Sequence, residues 1–389
     1  MTAIPSTSRR AMWPLYAAGF TTAFGAHGIA ASLGGASEDA VTSLLVLGGL
    51  LAVYDGAEVV LKPVFGTLAD RIGPKPVLLG GLAAFAVASL AYVIADSPAW
   101  LWAARLGQGA AASAFSPSAS ALVARLNPAA KHGRAFGSYG FYKSIGYTLG
   151  PLLGGVLVWA GGLRLLFAVM AACGAAVAVW AALTVPAVRP LPRARQTVAD
   201  LVRRLTDRAF LAPTAALAAA TAALSVGVGF LPVSGAAAGL GTVATGAAVS
   251  VLAAAAAVVQ PWAGRALDDG RLATRTGLFV GLLVTAAGLA AATFPGLAGI
   301  LAAAVLIGCG TGVITPLGFA ALAASAPQER LGQTMGAAEL GRELGDAAGP
   351  VLVGAVAAAT ALGYGYAALA LILAVVPSLA FSLGKRAVR

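Results

Sequence analysis

Apolar residues along this 389-residue chain gather into twelve long blocks rather than alternating with polar ones. The blocks lie near 12–33, 41–65, 77–95, 98–124, 135–160, 164–186, 211–233, 240–263, 274–294, 296–324, 332–359 and 361–383. A helix rises 1.5 Å per residue, so about 20 residues cross the hydrocarbon of a bilayer and each block is long enough to span. Period-two alternation is absent, which argues against a β-barrel. The pattern predicts an all-α membrane protein of twelve transmembrane helices.

The pattern also repeats. Gly109, Pro117, Pro128, Gly133, Gly137, Gly146, Gly150 and Pro151 recur 199 residues later as Gly308, Pro316, Pro327, Gly332, Gly336, Gly345, Gly349 and Pro350. Lys143 is matched in charge by Arg342. Two homologous six-helix halves are the usual construction of a secondary transporter, with the site near their meeting point. The predicted halves are 1–186 and 210–389. Between them, 187–209 turns rich in Pro and Arg and reads as a linker. Within it Val198, Leu201, Val202 and Leu205 share one helical face, which suits either a helix lying on the inner leaflet or a plain tether.

Composition agrees: 59% of residues are apolar and 10% charged, against about 25% charged in soluble domains. The net charge of +11 suggests nucleic acid until it is mapped. Most Lys and Arg fall in segments that one topology places on a single side of the membrane, among them Arg9, Arg10, Arg71, Lys75, Arg125, Lys131, Arg134, Arg265, Arg271 and Arg330. Opposite them stand Arg164, Glu38, Asp39 and Asp96. The positive-inside rule then puts both termini and the linker in the cytoplasm, and no nucleic-acid partner is expected. The apolar run after Arg9 and Arg10 is long enough to be the first span rather than a cleaved leader. Cys173 and Cys309 lie within spans, so neither a disulfide framework nor a metal cluster is predicted. His132, in a basic loop, reads as solvated.

Several motifs carry chemistry. After the second span comes Gly66-Thr-Leu-Ala-Asp70-Arg71-Ile-Gly73-Pro74-Lys75. Gly66 permits close helix approach, Gly73 a tight turn, and Asp70 with Arg71 places charge where the helix leaves the membrane. This stretch resembles the G-x-L-x-D-R-x-G-R-K signature of the major facilitator superfamily, although Pro74 and Pro76 flank Lys75 where the basic pair is expected. A degraded copy, Pro261-Trp-Ala-Gly264-Arg265-Ala-Leu-Asp268-Asp269-Gly270-Arg271, follows at an offset of 198. The resemblance implies that these aspartates help hold the two halves together on the cytoplasmic side. Arg105-Leu-Gly107-Gln108-Gly109 is similar to the family's R-x-x-Q-G motif, associated with proton transfer; the bland alternative is an arginine snorkelling to the outer interface. Gly146-Tyr-Thr-Leu-Gly150-Pro151-Leu-Leu-Gly154-Gly155 resembles the antiporter motif found mainly in drug and metabolite exporters. Glycines four apart with a proline give a flexible, closely packed helix, expected at the interface between the halves.

Charges inside the bilayer are the best candidates for coupling. Asp55, Glu58 and Lys62 share one face of the second span; Glu339, Arg342, Glu343 and Asp346 share one face of the eleventh. Each is expensive toward lipid, so both faces should line the seam between halves. Lys62 and Glu339 should lie roughly 8–12 Å from the cytoplasmic edge. The expected pairs are Lys62 with Glu339 or Glu343, and Glu58 with Arg342, acting either as a proton-sensitive latch or as static pairing that orients helices. His27, Tyr54, Tyr139, Tyr142, Lys143 and Tyr147 are candidates to line a substrate cavity, the aromatics alternatively serving as packing and His27 as a hydrogen-bonded structural group.

These readings point to a proton-coupled exporter of a small amphipathic molecule in the cell membrane, working as a monomer by alternating access. An importer or facilitator on the same fold is the alternative, and a non-transporting receptor a further one. No Gly-rich phosphate cradle, nucleophile–base set or metal spacing is present, so neither an enzyme nor a cofactor is expected.

Overall fold

A computed structural model describes residues 7–29, 40–95, 97–191, 203 and 206–383. Every regular element among them is helical. The expected inner-leaflet face of Val198, Leu201, Val202 and Leu205, and the charges Glu38, Asp39 and Asp96, lie outside the described residues.

The first four helices are α1 (Thr7–His27), α2 (Ala40–Ile72), α3 (Pro74–Ile94) and α4 (Pro98–Arg125). Helical backbone then runs from His132 to Thr184 but breaks at Gly161 and Gly162. Gly162 has φ 68°, a left-handed conformation that favours glycine, and it divides the run into α5 (132–160) and α6 (163–184). The second half supplies α7 (Arg208–Ala237), α8 (Thr242–Asp268), α9 (Thr274–Ala291), α10 (Leu297–Ser325), α11 (Leu331–Ala359) and α12 (Leu362–Leu383). The twelve helices follow the apolar blocks closely.

Local chemistry sets the ends. Gly73, at φ 99°, stops α2, and Pro74 opens α3 one residue later. The Trp100 amide donates to Ser97 Oγ at the start of α4, and the Ala209 amide donates to Asp207 at the start of α7. Hydroxyls inside spans mostly donate back to the carbonyl four residues earlier, as Thr21 does to Ala17, Ser89 to Phe85 and Thr285 to Gly281, so they need no partner from lipid.

The chain divides into two compact units. The first comprises Met1–Pro128, Tyr142–Arg193 and Ala326–Leu340; the second Ala129–Phe141, Ala194–Ser325 and Gly341–Arg389. In the first, α4 packs on α1, α2 and α3; in the second, α10 packs on α7, α8 and α9. Two helices contribute to both units. Helix α5 changes membership after Phe141 and α11 after Leu340, positions 199 residues apart. The repeat in the sequence is therefore a repeat in three dimensions.

Candidate functional site

The close approach of α11 to α2 in the first unit begins with glycine. A Cβ added at Gly66 would land on the Gly332 carbonyl, and one at Gly336 would lie 2.6 Å from the Lys62 carbonyl oxygen. Backbones this close bring the first amides of α11 to Asp70. Its Oδ1 accepts from the Gly332 N–H and its Oδ2 from the Gln333 N–H, both at 2.7 Å. These donors begin a helix and carry the positive end of its dipole, so a buried carboxylate suits them. Arg125 Nη2 lies 3.5 Å from Asp70 Oδ1 and donates to the Gln328 carbonyl at 2.9 Å. Burial draws the Arg125 guanidinium down from its usual range, while Asp70 and Glu329 counter that pull. Arg71, expected in the same gate, is exposed.

Deeper along the same face lies a cluster of two acids and two bases. Lys62 contacts Glu58 one turn back on α2. Lys62 Nζ stands 3.8 Å from Glu339 Oε2, and Lys143 Nζ of α5 stands 3.5 Å from that oxygen. All four residues are buried, Glu339 completely. One carboxylate thus meets ammonium groups from two other helices. Of the two acids expected for Lys62, the structure selects Glu339. Arg342 donates through Nε to Thr221 Oγ1 at 3.3 Å, with its guanidinium 5.8 Å from the Phe319 ring. Asp55, Glu343 and Asp346 are half-buried, the last two on the part of α11 that belongs to the second unit.

The second unit holds the counterpart face. Asp268 accepts from the N–H groups of Gly133 and Arg134, both at 2.8 Å, at the start of α5. A Cβ at Gly264 would meet the Gly133 carbonyl, and one at Gly137 would lie 2.6 Å from the Gln260 carbonyl oxygen. Arg134 also reaches Asp269 at 2.7 Å, and Arg271 reaches it at 2.8 Å. The hydrogen bond from Arg271, then that from Arg134, holds the Asp269 carboxyl below its usual range. His132, read from sequence as solvated, is buried at this helix start. At the level of the ion cluster the two faces differ: Ala256, Gln260 and Gly140 stand where Glu58, Lys62 and Glu339 stand in the first.

Arg105 does not snorkel. It is wholly buried, donating to the carbonyls of Gly25 at 2.7 Å, Ala26 at 3.0 Å and Leu50 at 3.4 Å, and to Gln108 Oε1 at 3.1 Å. Gly25 and Ala26 sit in the last turn of α1, whose carbonyls lack intrahelical partners. This cap sits where α1 ends at His27. Gln108 passes the network on to Ser89 at 2.8 Å. Tyr54 lies under the guanidinium at 4.4 Å and is completely buried, and Tyr139 is buried as well. Of the two readings open from sequence, cavity lining and packing, their burial fits packing. Their apolar bodies fill interior space.

The glycine–proline motif of α5 is also corrected. A Cβ at Gly146 would lie 2.7 Å from the Phe20 carbonyl oxygen, and one at Gly154 would fall on Gly28. The helix entering the groove is α1, from the same unit, with Gly150 also facing it; Pro151 and Gly155 are half-buried beside it. Gly345 and Gly349 of α11 meet Ala218 and Ala222 of α7 in the same way. Rings pair along the same two helices: Tyr16 stacks on Tyr142 at 4.9 Å and Trp13 meets Tyr142 edge-on at 5.7 Å before this crossing, and His27 meets Tyr147 at 4.7 Å within it.

The partners of the two aspartates were missed from sequence because they are main-chain amides. The repeated Pro128–Gly133 and Pro327–Gly332 spacings, which open α5 and α11, were the available signal.

Comparison with known proteins places this geometry. The chain matches the Major Facilitator Superfamily profile over residues 6–272 and 216–388. It is 31% identical over 153 residues to the inner membrane transport protein YajR of Escherichia coli, covering 38% of this chain and 32% of that one. It is 36% identical over 140 residues to the methylenomycin A resistance protein of Bacillus subtilis, covering 35% and 30%. The matched stretches thus span about a third or less of these relatives' lengths. The fold superposes on the human organic anion transporter MFSD10 with a TM-score of 0.80 at 16% identity, covering 96% of this chain and 99% of that one.

Proposed function

Since the chain belongs to the Major Facilitator Superfamily, whose members move small molecules across membranes, we propose that it is a proton-coupled transporter that exports a small amphipathic molecule by alternating access. In this reading the halves 1–186 and 210–389 rock about the linker 187–209, both termini face the cytoplasm of the cell, and one chain suffices. The basic segments support that orientation.

The buried cluster of Glu58, Lys62, Lys143 and Glu339 carries the reading. A buried ion pair is held by charge on both partners, and removing one charge leaves the other uncompensated. Glu58 and Lys62 ride on one helix, so their contact survives any movement of α2. Glu339 joins α11 to α2 and α5, so a proton on its carboxylate loosens both connections at once. Asp70, pairing with main-chain amides, then acts as a clasp that re-forms whenever the first turn of α11 returns. Proton binding thus biases a two-state element. The resemblance of Gly146–Gly155 to an exporter motif, and a relative named for antibiotic resistance, support the outward direction.

Flux in proteoliposomes under an imposed pH gradient tests this. Glu339→Gln should abolish gradient-driven transport while leaving exchange at equal pH; gradient-driven transport at the wild-type rate would overturn the coupling role. Running the gradient in each orientation separates export from import.

A further inference from the structure

We infer that Lys143 is the binding point for the acid group of a transported aromatic anion, and that Glu339 is a built-in competitor for it. The inference rests on the proton-coupled transporter reading above, though not on its direction, and names the class of its substrate. Of the ions in the cluster, Lys143 stands on the helix that also carries the half-buried rings of Tyr142 and Tyr147. Its side chain is 7% exposed, while that of Glu339 is 0% exposed. A ligand arriving along these rings meets the ammonium before the carboxylate. Glu58, the other acid, contacts Lys62 on its own helix.

The surroundings suit a flat, apolar body. Tyr16 stacks on Tyr142, Trp13 crosses its edge, and Tyr147 stands against His27. Trp13 is 47% exposed, so the strip reaches the surface of its unit. Aromatic faces in such a row accept a ring by stacking, and an ammonium beside them fixes an acid group by a charge-assisted hydrogen bond.

Charge counting gives the cycle. Around Glu339 stand Lys62 and Glu58 from α2 and Lys143 from α5, with Arg342, Glu343 and Asp346 further along its own helix. The two acids and two bases of the cluster balance. A proton on Glu339 leaves one positive charge in excess, and an anion at Lys143 restores neutrality. When Glu339 loses that proton and α11 returns, its carboxylate takes Lys143 back and expels the anion; proton and anion thus bind and leave together, so for this substrate an inward proton gradient drives uptake, the importer alternative on the same fold. The same oxygen that closes the latch thereby releases the substrate.

The test is equilibrium binding to the purified full chain in nanodiscs, with 2-naphthoate and 2-naphthylmethylammonium as matched probes. Naphthoate should bind more tightly at pH 5.5 than at pH 8. Lys143→Met should weaken it at least about tenfold, and Lys143→Arg should retain it. Glu339→Gln should bind naphthoate about tenfold more tightly than wild type at pH 8, with the pH dependence gone; a gain of binding does not arise from misfolding. Preference for the ammonium probe, binding of neither probe, or naphthoate affinity unchanged in Lys143→Met would each overturn the assignment. Gradient-driven flux of some other compound, with Glu339 required, would then leave the coupling reading standing while this one fell.

Discussion

The face where α2 meets α11 and the face where α8 meets α5 descend from one pattern, yet among the described residues only the first carries buried carboxylates at its centre. Both use glycine to bring two backbones together, and both use one aspartate to cap the helix that arrives: Asp70 for α11, Asp268 for α5. About two to three turns further in, Glu58, Lys62 and Glu339 in the first are matched by Ala256, Gln260 and Gly140 in the second. Gln260 is buried against Gly140, and a Cβ there would strike its side-chain oxygen. A glutamine against a glycine carries no charge, whereas a lysine against a glutamate is held by charge on both partners. The shared clasp is made of main-chain hydrogen bonds, and the buried acid–base pairs are confined to the first side.

Substitutions that separate the two faces follow, from the largest effect down. Lys62→Gln leaves two buried carboxylates short of a cation and should destabilise the protein by about 3–5 kcal/mol. Gln260→Ala on the other face should cost only about 1–2 kcal/mol, both read from thermal unfolding in detergent. Asp70→Ala strips the acceptor from two amides and takes from Arg125 its carboxylate contact, at about 1–3 kcal/mol for each group left unsatisfied. Asp268→Ala, whose Arg134 is half-exposed, should lose about 1–2 kcal/mol, the worth of a helix cap. Equal losses for Asp70→Ala and Asp268→Ala would erase the distinction drawn above.

Where the faces agree, the variants should agree too. Gly66→Ala and Gly264→Ala each drive a methyl group into the partner carbonyl and should cost a similar amount, about 1–3 kcal/mol. The smallest effect belongs to Asp269, on the surface of the second face. Its carboxyl titrates below the usual range, so its interactions with Arg271 and Arg134 are intact above the ordinary carboxylate pKa. They are lost as pH falls through the depressed value. Asp269→Asn should therefore lower the melting temperature slightly at neutral pH and converge with wild type in acid.

The apolar blocks predicted the twelve helices because a bilayer demands long apolar helices and little else. The break near residues 160–164 was readable from Gly161-Gly162, and the embedded charges marked α2 and α11 as inward faces. What escaped sequence reading involved the backbone or depended on competition between partners. The amides of Gly332 and Gln333 leave no trace in side-chain pattern, and neither do the carbonyls of Gly25 and Ala26 that hold Arg105. Glu58 lies one turn from Lys62 on the same helix, a contact available before any tertiary structure forms. Tyr54 could not be assigned to cavity or packing from sequence; it packs against α4, under Arg105.

The account turns on Glu339 holding α11 to α2 only while it is ionised. Spin labels at Arg71→Cys and Gln328→Cys, both at exposed positions beside this contact, report the separation of the two helix ends by pulsed electron resonance. The wild type should show one short distance at pH 8 and gain a longer population at pH 5.5, while Glu339→Gln should show the longer population at both. A Glu339→Gln protein that keeps the wild-type response to pH would contradict the account.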